Sequence, residues 1–197
     1  MIFIIQCLKV MMMNENLFEI LDEIIDNRFK ISNSGGVIEI IENNNATCKN
    51  IKIQLTGKTF SLTLDNNVNV FNCFNSAIAN ITKKNDAILF FEQNRKIIVL
   101  LMELKSNNPG DYLNQLKAGK NFVEYLIKQI ELFYPFNGEN IYYFGALFQT
   151  RKVPIKQTTK KKNFVFEDRN GLKCTTLMCN QQYKLQQFKE SIKEFLS

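Results

Sequence analysis

Residues 86–105 read DAILFFEQNRKIIVLLMELK. Two apolar runs flank a polar break at residues 93–96, which is typical of an antiparallel β-hairpin with a two-residue turn. Pairing about that turn places Asp86 opposite Glu103, with both side chains on one face and about 5 Å apart at Cβ. Lys105 follows two residues later and points to the same face. The stretch therefore predicts two carboxylates and one amine at the end of an otherwise apolar sheet.

The remaining apolar patterns predict one domain of mixed α/β type, with interior strands that helices cover on either side. Residues 97–104 and 141–148 are apolar on both faces, as expected of interior strands covered on either side. Amphipathic patterns predict helices over residues 14–28, 109–132 and 182–196. The acids of the first helix are predicted to form a solvated face, with Glu19 or Glu23 as alternatives that reach the site from the side.

Turn signals predict two further hairpins and one helix start. Residues 51–64 alternate apolar and polar on both sides of Gly57, which indicates a hairpin with one wet face. An Asn-Gly turn at residues 170–171 predicts a late hairpin between residues 164–166 and 172–178. Before the middle helix, Asn108 and Pro109 resemble an N-cap and a first-turn proline.

The length of 197 residues and the apolar content of 45% allow a proper core and favour one domain. We expect that domain to span residues 14–197. Residues 1–13 are an apolar leader of uncertain order that is too short to cross a bilayer, so no membrane partner is expected.

Charge is distributed unevenly along the chain. Residues 1–80 hold six basic and eight acidic side chains, whereas residues 81–197 hold 19 basic and 11 acidic ones. The basic second half favours a polyanionic partner such as nucleic acid, since clustered cations attract phosphate. A solvated basic face is the alternative.

The chain has no histidine, which excludes Ser-His-Asp and Cys-His catalysis and His-ligated zinc. Hydrolytic chemistry would therefore depend on carboxylates, lysine and a metal ion that prefers oxygen ligands. Five scattered cysteines with no CxxC motif indicate free thiols in a reducing cytosol, so a cytoplasmic protein is expected. They are Cys7, Cys48, Cys73, Cys174 and Cys179.

Asp86, the triplet Glu103-Leu104-Lys105 after a hairpin, and Gln115 in the following helix together resemble the PD-(D/E)xK nuclease superfamily, which has the restriction-endonuclease-like fold. The similarity covers roughly residues 80–150, and Asn85 stands where the motif has its proline. This resemblance implies an α/β fold with a central mixed β-sheet flanked by helices, and metal-dependent hydrolysis of phosphodiester bonds. It also implies a setting in restriction or phage defence, with DNA as the expected substrate and RNA as the alternative.

In such a site Asp86, Glu103 and the backbone carbonyl of Leu104 would hold Mg²⁺ or Mn²⁺. Lys105 would orient or deprotonate the attacking water, and Gln115 would hydrogen-bond water or the phosphate. A further set of basic residues would bind the nucleic-acid backbone without reading sequence. These are Lys83, Lys84, Arg151, Lys152, Lys156, Lys160, Lys161 and Lys162. With little room for a specificity domain, a homodimer or a partner protein is also expected.

Two other interpretations remain open at this level. The first is a catalytically inactive subunit of the same fold that binds nucleic acid or protein through its basic half. The second is a structural α/β protein in which Glu103 and Lys105 form an ordinary ion pair.

Overall fold

The computed structural model describes residues 17–42, 46–65, 71, 73–75, 77–106, 108–150 and 164–196. The predicted leader at residues 1–13 and the basic residues from Arg151 to Lys162 lie outside these ranges. The helices are α1 (Leu17–Ile24), α2 (Tyr112–Phe133) and α3 (Leu185–Ile192), the last followed by a 3-10 turn (Lys193–Phe195). The strands are β1 (Asn33–Ser34), β2 (Val37–Ile41), β3 (Asn50–Gln54), β4 (Thr59–Leu62), β5 (Ala87–Gln93), β6 (Lys96–Lys105), β7 (Ile141–Gln149), β8 (Glu167–Arg169), β9 (Leu172–Met178) and β10 (Gln182–Lys184).

A six-stranded mixed sheet forms the centre of the described fold, in the order β4-β5-β6-β7-β9-β8. Strand β5 runs antiparallel to its two neighbours β4 and β6. Strands β6, β7 and β9 are parallel, and β8 lies at the far edge, antiparallel to β9. The prediction that residues 97–104 form an interior strand is confirmed, because all eight residues are buried. The protein is thus an α/β protein with a mixed sheet.

Both faces of the central sheet are covered. On one face, helix α1 packs against β4 and helix α2 packs against β6, and Leu21 and Val123 lie in the core that they share. On the other face lie α3 and a second, four-stranded sheet of order β1-β2-β3-β10, represented in the core by Phe188 and Ile53. This arrangement explains why the strands in the middle are apolar on both sides. No helix in the described ranges is long and apolar enough to cross a membrane.

The predicted register of the central hairpin is confirmed. Gln93 pairs with Lys96 across a two-residue turn, and the ladder continues to Ala87 opposite Met102. Both turn residues have positive φ, 53° at residue 94 and 61° at residue 95, as a type I′ turn requires. Continuing the register by one residue sets Asp86 opposite Glu103.

The predicted hairpin over residues 51–64 is wrong. Strand β3 pairs with β2 and β10 in the smaller sheet, whereas β4 pairs with β5 in the larger one. Gly57, at φ 79°, lies at the corner where the chain passes from one sheet to the other. Alternation of apolar and polar residues indicates that a segment is a half-buried strand, but it does not say which strand will be its partner.

The bounds of the predicted helices also need correction. Helix α2 begins at Tyr112 rather than at Pro109, because Gly110 takes a left-handed conformation at φ 50° that interrupts a helix. The last helix begins at Leu185, since the three residues before it extend the smaller sheet as β10. The first helix ends at Ile24 rather than near residue 28.

The late hairpin forms around the predicted Asn-Gly turn, with Arg169 paired to Leu172. Its first strand is β8, not residues 164–166, because Phe166 instead packs edge-on against Phe144 in the core at 5.4 Å between ring centroids. The turn residues again have positive φ, 56° at Asn170 and 85° at residue 171.

We expect Gly171→Ala to lower the free energy of unfolding by about 1 kcal/mol, the cost of a left-handed conformation for a residue with a Cβ. Nothing lies within 4 Å of the added methyl group, so backbone strain is the whole effect. Urea denaturation measures the loss. Gly171→Asn is the matched control and should cost less, because asparagine tolerates this conformation. Equal stability of Gly171→Ala and the unchanged protein would contradict the assigned turn.

Candidate active site

Asp86 and Glu103 lie on the face of the central sheet that helix α2 covers. Along β5 and β6 they alternate with residues of the opposite face and share the side of Ile88 and Leu101. Glu103 has no solvent exposure, whereas Asp86 is partly exposed at the start of its strand. The two predicted carboxyls are therefore brought together at the edge of the sheet where β5 begins and β6 ends.

The Asp86 side chain is fixed by the neighbouring strand. Its Oδ2 accepts a hydrogen bond from the backbone N–H of Leu104 at 2.6 Å. In an extended strand the N–H and C=O of one residue point to the same side. The carbonyl oxygen of Leu104 is therefore directed to the side of the Asp86 carboxyl, as the predicted site requires.

Lys105 lies beside the two carboxyls, and its Nζ is 2.5 Å from Oε1 of Glu103. About a quarter of the lysine side chain is exposed, so the ammonium group lies between the buried carboxyl and solvent. Neither oxygen of Glu103 has a well-aligned hydrogen-bond donor among the described residues. The lysine contact is thus an ion pair, and the carboxyl retains capacity for further ligands.

Burial controls the protonation of this group. It raises the pKa of Asp86 to about 7, an effect that the bond from Leu104 opposes and the charge of Glu42 reinforces. Burial likewise raises the pKa of Glu103 to about 8, with repulsion from Asp86 adding to it and Lys105 opposing it. For Lys105, burial lowers the pKa, but the contacts with Glu103 and the other acids outweigh that effect and raise it. The lysine is therefore an ammonium ion.

Two further acids, Glu42 and Asp65, lie close enough to raise the pKa of Asp86 by their negative charge. Neither was predicted from the sequence as a residue of the site. Burial raises the pKa of Glu42, Lys105 opposes the shift and Asp65 adds to it. Glu42 directly follows β2 of the smaller sheet. The loop that leads into β3 of that sheet is anchored just past the end of β6, because the backbone N–H groups of residues 47 and 48 donate to Oγ of Ser106 at 3.1 and 3.4 Å. No sequence spacing signals this proximity, because it depends on how the two sheets pack.

Gln115 lies in the first turn of α2, close to the chain that leads into β5. Its Nε2 donates to the backbone carbonyl of Lys84 at 3.4 Å, two residues before Asp86. In this arrangement the amide holds the chain that leads into the site. The exposed acids Glu19 and Glu23 of α1 lie on the solvated face.

The basic residues proposed to bind nucleic acid are only partly described. Lys83 forms an ion pair with Asp111, and Lys84 forms one with Asp65 at 3.5 Å. Each lysine side chain keeps about a quarter of its surface exposed. The other predicted contacts, between Arg151 and Lys162, lie outside the described residues.

The described cysteines are free thiols, as predicted, at positions 48, 73, 174 and 179. Cys7 lies outside the described ranges. Across those ranges, no three His, Cys, Asp or Glu side chains form a metal-binding group. The candidate site instead offers two carboxyls and one main-chain carbonyl, a set of oxygen ligands suited to Mg²⁺ or Mn²⁺.

Comparison of the chain with protein-family models, with curated proteins and with solved structures finds no match.

Proposed function

We propose that this protein is a metal-dependent nuclease of the PD-(D/E)xK type that hydrolyses phosphodiester bonds, with DNA as the preferred substrate. The observation that carries the proposal is the fully buried Glu103 at the end of an interior strand, with Asp86 and Lys105 beside it. Burying ionisable side chains is costly, so a group of this kind usually occurs in a protein core only where its charges are paired or where it serves a function.

The order of elements supports the same proposal. Helix α1, the antiparallel strands β4, β5 and β6, helix α2 and the parallel strand β7 occur in this order along the chain, with strands β1 to β3 of the smaller sheet inserted between α1 and β4. The resemblance noted in the sequence implies a central mixed sheet flanked by helices. The smaller sheet and α3 would then be the variable periphery.

Asp86, Glu103 and the carbonyl of Leu104 fit a divalent cation. Burial raises the pKa values of Asp86 and Glu103 because it disfavours their charged forms. The positive charge of a bound cation would favour those charged forms and so offset the burial penalty. When bound, Mg²⁺ or Mn²⁺ supplies positive charge to a phosphate oxygen and lowers the pKa of a water molecule. Asp86 contributes a fixed orientation to this set through its bond from Leu104.

Lys105 acts through its ammonium group. Because its pKa is raised, it keeps its proton and donates hydrogen bonds to the attacking water or to a phosphate oxygen. The partial exposure of its side chain allows it to turn from Glu103 toward a substrate. Of the two roles predicted for this residue, orientation of the water is the one that the ion pair favours.

Nucleic acid would approach this edge of the sheet past Lys83 and Lys84, which lie in the chain just before β5. Their partners Asp111 and Asp65 would be exchanged for phosphate, and the Arg151–Lys162 segment would add further charge. Such contacts position the backbone without reading sequence. A homodimer or a partner protein would then supply specificity and the second cut of a duplex.

A cleavage assay on single- and double-stranded DNA and RNA tests the proposal. We expect turnover with Mg²⁺ or Mn²⁺ and none with EDTA. Binding of Mn²⁺, followed by the enhancement of water-proton relaxation, should occur without substrate as well. Absence of both turnover and Mn²⁺ binding would refute the nuclease.

The inactive nucleic-acid-binding subunit remains the second candidate. The Lys105 to Glu103 ion pair is compatible with it, because in that state the lysine neutralises the carboxyl that would otherwise bind a cation. The same contact is the ordinary ion pair that the structural α/β interpretation predicts. This candidate predicts nucleic-acid binding that weakens steeply with salt, and no cleavage with any divalent metal.

A further inference from the structure

Asn85 is a fully buried polar residue immediately before Asp86. Its Nδ2 donates to the carbonyl oxygen of Ala87 at 2.6 Å and to that of Met102 at 3.4 Å. Ala87 and Met102 are the last paired residues of β5 and β6 before the candidate site. One amide group therefore joins the two strands next to the point where their ladder ends.

The other side of the amide lies against helix α2 at Gly119. A Cβ at that position would be 2.1 Å from Oδ1 of Asn85, 2.6 Å from its Cγ and 3.2 Å from its Nδ2. Glycine is the only residue that fits there, although it is a poor residue for a helix interior. Oδ1 has no hydrogen-bond partner among the described residues, so on that side the amide is held by packing against Gly119, while Nδ2 is held by its two hydrogen bonds.

Strand ends fray unless something holds them, and a site that is 1 Å too loose loses much of its activity. Asp86 belongs to the short segment beyond the last pair of the ladder. The bond from Leu104 fixes its side chain, and the bonds of Asn85 fix its backbone relative to β6. The separation of the Asp86 and Glu103 carboxyls depends on both.

We propose that Asn85 is a positioning residue that sets the spacing of the two carboxyls, with Gly119 providing the space for its side chain. This inference rests on the proposed nuclease function. It gives a role to the residue that stands in the place of the motif's proline. It also makes the metal affinity of the site depend on a helix residue that carries no ligand.

The experiment compares Gly119→Ala with Gly138→Ala. The first methyl group would displace the Asn85 amide. The second would crowd Ile127 Cγ2 at 2.7 Å and Glu131 Oε1 at 2.9 Å, at the other end of the same helix. Each variant is checked for folding by circular dichroism, and then measured for Mn²⁺ binding and for kcat and KM with a cleavable substrate.

For Gly119→Ala we expect Mn²⁺ affinity and kcat to fall by about tenfold or more, with KM for nucleic acid nearly unchanged. For Gly138→Ala both should stay within about twofold of the unchanged protein, the size of effect expected away from the metal. The double variant Asn85→Gly/Gly119→Ala should bind Mn²⁺ no worse than Asn85→Gly alone, because the clash is gone.

Unchanged Mn²⁺ affinity in a folded Gly119→Ala protein would overturn the positioning role. If Gly119→Ala does not fold, Asn85→Ala answers the same question without a clash, and normal metal binding in that variant would overturn it equally. Failure of the unchanged protein both to bind Mn²⁺ and to cleave would instead refute the proposed function, and the inference with it.

Discussion

Replacing Glu103 with glutamine is expected to lower the rate of metal-dependent cleavage by at least about 10²–10³-fold, the usual cost of removing a group that stabilises the transition state. The variant keeps the size of the side chain but removes the charge that would hold the cation. Single-turnover cleavage at saturating Mg²⁺ measures the loss.

The same change should leave the fold as stable at pH 8 or make it more stable. Burial opposes ionisation of Glu103, so a neutral amide avoids the penalty that the carboxylate carries in the metal-free protein. Glu124→Gln is the matched control, since Glu124 is exposed on helix α2 and paired with Lys120 at 3.2 Å. It should change neither cleavage nor stability by a measurable amount.

Lys105→Ala distinguishes metal binding by the carboxyls from catalysis by the lysine. It should also abolish cleavage, but it should preserve or strengthen Mn²⁺ binding, because the ion pair with Glu103 no longer competes with the cation. Undiminished metal-dependent cleavage by both Glu103→Gln and Lys105→Ala would show that the reaction does not take place here.

The site was predictable from sequence as far as it depends on one hairpin. The polar break at residues 93–96 fixes the turn, the turn fixes the register, and the register brings Asp86 opposite Glu103. Each of these steps is local, so the pattern of residues determines the result. The burial of the interior strands was predictable as well, because strands that are covered on both faces have continuous apolar runs in the sequence.

The parts that could not be predicted depend on contacts between distant segments. Strands β3 and β4 alternate in the same way, yet they join different sheets because each finds its partner elsewhere in the chain. Glu42 comes near Lys105 only when the smaller sheet packs on the larger one. Gly119 became interpretable once its contact with Asn85 was known, since a glycine in a helix has no single meaning in sequence.

Between about pH 5 and pH 8, the metal-free protein is expected to become less stable as the pH rises. Burial raises the pKa of Asp86 to about 7 and that of Glu103 to about 8, whereas in an unfolded chain both titrate near pH 4. Within this interval the folded protein binds more protons than the unfolded chain. The free energy of unfolding therefore falls with pH, by up to about 1.4 kcal/mol per pH unit for each proton.

Urea denaturation at pH 5, 6, 7 and 8 with EDTA measures this slope. The acids whose pKa values are lowered, such as Asp111 and Glu131, titrate below the interval and do not contribute to it. Mg²⁺ should restore stability most at pH 8, where both carboxyls are ionised and bind the cation best. In Glu103→Gln the slope and the Mg²⁺ effect should both shrink. A free energy of unfolding that stays level or rises from pH 5 to pH 8 in the metal-free protein would contradict the raised pKa values. It would then also contradict the destabilised pair of carboxyls on which the proposed chemistry depends.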